Sequence, residues 1–113
     1  MSEQDDALVS KLLPYRERPG MMAALLISRD GFLVASAADP RINGEVLAAH
    51  LGAVIDIGAN LADELGQAET RFITLELDAL NIVVAPFSDE LLLALVGSPE
   101  AIALQFSLGG GRA

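Results

Sequence analysis

Few side chains in this sequence are equipped for chemistry, and their spacing limits what they can do. His50 is the only histidine, and there is no cysteine. One imidazole cannot make a histidine metal pair, and no Ser-His-Asp arrangement has support elsewhere in the chain. A lone helical histidine beside an apolar strip reads as structural. Asp63 with Glu64, and Asp89 with Glu90, are adjacent acidic pairs. Neighbours at i and i+1 diverge on a helix or a strand, so they read as solvated charge and not as a shared acid-base site. No G-x-G-x-x-G or Walker A pattern occurs, so the chain is not expected to bind nucleotide itself. Arg29 in a turn, Arg41 ahead of a helix and Arg71 on a strand stand where an arginine finger could project. Ordinary surface or interface charge is the simpler reading of each. The expectation is a protein with no catalytic residue, no metal site and no cofactor, which is not an enzyme by itself.

The element that must organise the rest runs from Asn43 to Gly66. Asn43 is placed to cap a helix start, with Glu45 in the first turn where the dipole favours a carboxylate. Gly66 supplies a left-handed stop. Leu47, Leu51, Val54, Ile55, Gly58, Leu61, Ala62 and Leu65 recur at helical spacing as one apolar face. Ala48, Gly52 and Ala59 form a column of small residues on one flank. Val46, Ala53 and Ile57 form the other flank, with His50 beside them. Ala49, Asp56, Asn60 and Asp63 make the outward strip. More apolar surface is present than one sheet can cover. The small column therefore suggests a helix-to-helix contact with a second subunit.

Composition points the same way. At 113 residues the chain is expected to be one domain, and 52% hydrophobic content is high for a small soluble monomer. The mean hydropathy of +0.45 repeats that excess. The uncharged apolar runs, 21–27 and 91–96, are far short of the ~20 residues of a membrane span, so no membrane insertion is expected. The N-terminal MSEQDDALVSKLL lacks the basic and apolar regions of a signal peptide, and the absence of cysteine agrees with a cytoplasmic protein. A net charge of -9, with seven scattered Lys and Arg, argues against nucleic acid.

In chain order, residues 4–13 suggest a short helix with Leu8, Val9, Leu12 and Leu13 on one side and Pro14 as its stop. Met21 to Ser28 is apolar at nearly every position, as in a strand buried on both faces. Arg29, Asp30 and Gly31 make a tight turn into a return strand, Phe32 to Ala37. Past the long helix, Thr70 to Leu77 alternates as a half-exposed edge strand. Asn81 to Ala85 and the fully apolar Leu91 to Val96 complete three strands. Ser98 and Pro99 start a last short helix carrying Ile102, Leu104 and Phe106. The fold expected is α+β: a five-stranded, mainly antiparallel sheet in the order α-β-β-α-β-β-β-α. The long helix covers one face and the two short terminal helices share the other.

This order, with these residues, resembles the Roadblock/LC7 family. The hairpin ALLISRDGFLVASA at 24–37 carries the most specific likeness. The Ala- and Leu-rich helix ending in ELG and the strands closing in LLLALVG match in kind and position. The resemblance covers residues 5–106 of a single domain spanning 1–113, with a flexible glycine-rich tail at 107–113. It implies a homodimer whose third strands pair into a continuous sheet while the long helices pack side by side. On this chain the interface would use Ala48, Gly52, Ala59, Arg71, Ile73 and Leu75. It also implies a Ras-like small GTPase as partner, contacted through Ala49, Asp56, Asn60 and Asp63. The role would be that of an allosteric activator or an effector, as in bacterial GTPase-regulating members. The short third helix favours binding over activation. A GTPase-independent scaffold or light-chain-like adaptor is the alternative, and a small-molecule sensor domain is a more distant one.

Overall fold

A computed structural model describes residues 3–109, with side chains from 6 to 105. The elements follow the expected order: α1 (Glu3–Arg16), β1 (Met21–Ser28), β2 (Leu33–Ala38), α2 (Gly44–Glu64), β3 (Ile73–Glu76), β4 (Asn81–Pro86), β5 (Leu91–Gly97) and α3 (Pro99–Gly109). The five strands form one sheet in the order β2-β1-β5-β4-β3, antiparallel throughout. The two apolar runs thus occupy the middle of the sheet, where both of their faces can be covered.

Side-chain alternation divides the core into two layers. Ala24 and Leu26 of β1 with Leu93 and Leu95 of β5 face α1 and α3, meeting Leu12, Ala101 and Ile102. Ala23, Leu25 and Ile27 with Leu92, Ala94 and Val96 face α2, meeting Ala48 and Leu51. No charged or polar side chain is buried among the described residues. Burial of each large aliphatic residue here is worth ~1.5–3 kcal/mol, so these two layers carry the stability of the fold.

Local chemistry accounts for the element ends. The Asn43 side-chain oxygen accepts from the Val46 amide at 3.1 Å, capping α2 as expected. At the other end Gly66 takes φ 71°. Its amide donates to the Asp63 carbonyl and that of Gln67 to the Ala62 carbonyl, the paired bonds of a Schellman stop. Ser98 Oγ accepts from the Ala101 amide and so starts α3.

Several boundaries differ from the sequence expectation. Pro14 lies inside α1, which runs on to Arg16. A proline in the last turn removes one helical hydrogen bond near the end, where that loss is tolerated. Tyr15 joins Leu8, Val9 and Leu12 against the core, whereas Leu13 is exposed. The edge strand β3 has four residues, and Phe72 and Leu77 on either side of it are exposed. Leu104 of α3 is also exposed. α3 extends to Gly109, so the first three residues of the expected tail are helical. Residues 110–113 and the Phe106 side chain lie outside the described residues.

Candidate interaction surface

α2 starts over the hairpin and ends near the far edge of the sheet. A methyl group built on Gly44 would touch Leu33 and Leu25, and one on Gly58 would touch Thr70 and Ile73 just ahead of β3. Between these points the helix passes very close to the β1–β2 turn. A Cβ on Gly52 would lie 2.7 Å from the Gly31 Cα. Gly31 itself has φ 89°, in the region that glycine alone adopts freely. Two glycines facing each other, with Ala48 wholly buried beside them, let helix and turn meet backbone to backbone.

That contact corrects part of the expected interface. Ala48 and Gly52 are already spent on the chain's own hairpin and present no surface to a second subunit. Ala59, further along the same column, is exposed and faces a cleft. The apolar surface that α2 does expose lies on its other flank. Val46 is 50%, Ile57 58% and Leu61 58% exposed. Together with His50 and Ala53, also exposed, they fall within ~80° of helix circumference at ~100° per residue.

α2 is the described helix that, by length and composition, could cross a membrane, with only 17% of its apolar window buried. Glu45, Asp56 and Asp63 divide its apolar sequence into shorter uncharged runs. The buried stripe holds the helix on the sheet, leaving one flank uncovered.

Ala49, Asp56, Asn60 and Asp63 are all exposed, as expected for an outward strip. Beside this strip a cleft of about 380 Å³ opens between the second half of α2, the segment before β3, and the β4–β5 end of the sheet. Ile55, Ile73, Val84 and Leu92 line its floor, while Arg29, Asn60, Asp63, Glu69 and Arg71 stand around it. Sequence spacing gave no sign of the cleft, because its walls come from several separate segments.

The three arginines separate by environment. Arg41 is held by Asp39 through two side-chain bonds of 2.9 Å. Asp39 also accepts from the Arg41 amide. These hydrogen bonds, from the guanidinium first and then the amide, hold the Asp39 carboxyl well below the usual carboxylate range. The same pairing raises the Arg41 pKa. The pair stands at the entry to α2, and the Arg41 side chain is itself 77% exposed. Arg29 Nε donates to the Asp89 carbonyl at 3.3 Å, tying the β1–β2 turn to the β4–β5 turn. Arg71 is exposed at the cleft. No group of three or more metal-ligating side chains is found among the described residues.

At the margin of the sheet, β3 pairs only with β4. Ile73 and Leu75 are half-buried toward α2, whereas Thr74 and Glu76 are exposed. The opposite margin, β2, is flanked by α1 and α2. The open strand edge and the exposed apolar helix strip are the features of this molecule that most need a partner.

Comparison with known proteins bears on the fold. The gliding protein MglB from Thermus thermophilus superposes with a TM-score of 0.81 at 23% identity, over 99% of this chain and 86% of that one. An MglB solved in a tetrameric arrangement gives 0.82 at 23% identity, over 99% and 85%. A Roadblock/LC7 domain from Streptomyces avermitilis gives 0.73 at 23% identity, over 89% and 85%. At these identities the likeness is one of fold. No curated protein sequence matches the chain. The family model of the Roadblock/LC7 domain matches residues 10–97, from α1 to the end of β5. That match takes in the hairpin, the long helix and the whole sheet: the chain belongs to the Roadblock/LC7 family.

Proposed function

We propose that this chain is a non-catalytic homodimeric module that binds and regulates a Ras-like small GTPase in the cytoplasm. The observation that carries the dimer is the exposed Val46-Ile57-Leu61 strip of α2 lying on the same molecule as the open β3 edge. A second copy related by a two-fold axis would cover both at once. Ile73, Leu75 and Arg71 would take part through the edge, whereas Ala59 faces the cleft on the opposite flank of α2 and would stand outside the helix seam. The solved tetrameric arrangement of an MglB supports self-association as a habit of the fold.

The GTPase part rests on the family and on the outward strip Ala49, Asp56, Asn60 and Asp63, which stays exposed when the apolar flank is covered. Its acidic character fits a partner with a basic patch. The role would be that of an effector or of an allosteric activator that repositions groups of the GTPase, with the short third helix favouring binding over activation.

Sedimentation of the wild type and of the Ile57→Glu/Leu61→Glu variant tests the dimer. These side chains are exposed, so the change should yield a folded monomer. Ile73→Asp is less informative, because Ile73 also packs against the core and its loss would lower the stability of the monomer as well as disturb the edge. A wild type that stays monomeric at high concentration would refute the dimer. For the partner, the protein would be used as bait with a GTP analogue and separately with GDP. A small GTPase retained mainly with the analogue, and lost on Asp56→Arg/Asp63→Arg, is the expected result. A stable partner that is not a GTPase, with none retained in either state, would move the case to a scaffold.

A further inference from the structure

We propose that His50 makes the dimer acid-sensitive: its imidazole lies in the apolar strip and must be neutral when two α2 helices close on each other. The inference rests on the dimer reading above. Identical edge strands pair antiparallel about a two-fold axis normal to the sheet. The same axis lays the two α2 helices antiparallel on one face. The exposed strip runs from Val46 to Leu61, and its midpoint falls between Ala53 and Val54. A self-complementary contact centred there sets Val46 beside Leu61 of the second copy, and His50 beside Ile57. His50 is thereby moved from solvent into an aliphatic seam.

Nothing in that seam compensates an imidazolium. The helical neighbours of His50 at three and four residues are Val46, Leu47, Ala53 and Val54, all apolar. The side chains facing α2 from β1 and β2 are Ala23, Leu25, Ile27 and Leu33. Glu45, Asp56 and Asp63 lie ~120–140° around the helix from His50 at ~100° per residue. Asp30 sits in the turn beneath Gly52, on the sheet side. Arg29, Glu69 and Arg71 belong to the cleft on the opposite flank. Glu76 leaves β3 from the other face of the sheet, by alternation with Leu75, and Asp78 lies past the end of that strand. Glu64 of the second copy would stand about seven residues along the seam, ~10 Å away. Desolvation with no close counter-charge disfavours the protonated form.

The size of the effect follows from linkage. Imidazole is the side chain whose charge changes between about pH 5 and 8, and a dimer that admits only the neutral form must release each bound proton. Between pH 8 and pH 5.5 that weakens association about tenfold for each imidazole and about a hundredfold for the two. The dimer dissociation constant should be measured by sedimentation at both pH values for the wild type and for His50→Gln. The expected result is a rise of about a hundredfold for the wild type at pH 5.5, with little change in the variant. As the chain has a single histidine, its NMR titration should also shift to lower pH as protein concentration rises. A wild-type dimer equally tight at both pH values would overturn the switch and leave the dimer standing. Equal acid weakening of wild type and variant would assign the effect to carboxylates and overturn it too. A wild type monomeric throughout would overturn the dimer and the switch together.

Discussion

Replacing Gly52 by alanine tests the close approach on which the placement of α2 depends. The added methyl would stand 2.7 Å from the Gly31 Cα and 3.2 Å from the Gly31 amide nitrogen. Carbon atoms rest at ~3.5–4.0 Å, so helix and turn must separate by up to ~1 Å. The turn has little freedom to yield. Gly31 donates to the Ser28 carbonyl at 3.0 Å, and the Ser28 amide in turn donates to the Phe32 carbonyl at 2.9 Å. Lifting the helix would also loosen Ala48 and Leu51, both buried against the sheet. Overpacking of this kind costs ~1–3 kcal/mol. Against it stands the ~0.5–1 kcal/mol that alanine gains over glycine inside a helix. The expected outcome is a net loss of ~1–2 kcal/mol in urea unfolding, read at two protein concentrations to separate folding from association. Gly58→Ala is the control. Its methyl would meet only side chains, Thr70 Oγ1 at 3.2 Å and Ile73 Cδ1 at 3.5 Å, which can adjust. Gly58→Ala should be neutral or stabilising by up to ~1 kcal/mol. If Gly52→Ala proves as stable as Gly58→Ala, the helix does not sit on the turn. The column Ala48-Gly52 would then be free to face a second subunit after all.

Two further substitutions probe the ends of the same helix. Asn43→Ala removes the acceptor for the Val46 amide and should cost ~1 kcal/mol in the same unfolding assay. Asp39→Asn breaks the pair with Arg41 that precedes α2, and its effect should depend on pH. The native carboxyl titrates below its unfolded value, so its stabilisation is complete above the unfolded pKa of ~3.9 and fades as pH falls toward the native one. The variant should therefore melt below the wild type at pH 7, with the gap closing in strong acid. A gap that persists unchanged at pH 2 would show that packing, and not the charge, is responsible.

The sequence alone determined the order of elements, because each is fixed by local rules. Caps at Asn43 and Ser98, the glycines at 31 and 66, and the two unbroken apolar runs of β1 and β5 mark starts, stops and burial without reference to distant residues. It also limited the catalytic sets the chain could assemble, since a single histidine and no cysteine need no structure to interpret. Family likeness was legible in the hairpin at 24–37 and is the same likeness that the match over 10–97 records.

Which flank of α2 is spent inside the chain, and which is left over, was decided only by tertiary structure. Helical periodicity shows that Ala48 and Gly52 share one side and that Val46 and Ile57 share another. It carries no information about where the β1–β2 turn will land. Gly31 is 21 positions before Gly52 in sequence, and only the packing of the hairpin under the helix brings their backbones together. The same reason hid the cleft beside Asp63, whose walls meet from several separate segments. Local periodicity fixes what a residue's neighbours on its own element are; close contacts between elements are set by how those elements dock, and that decides which surface remains for a partner.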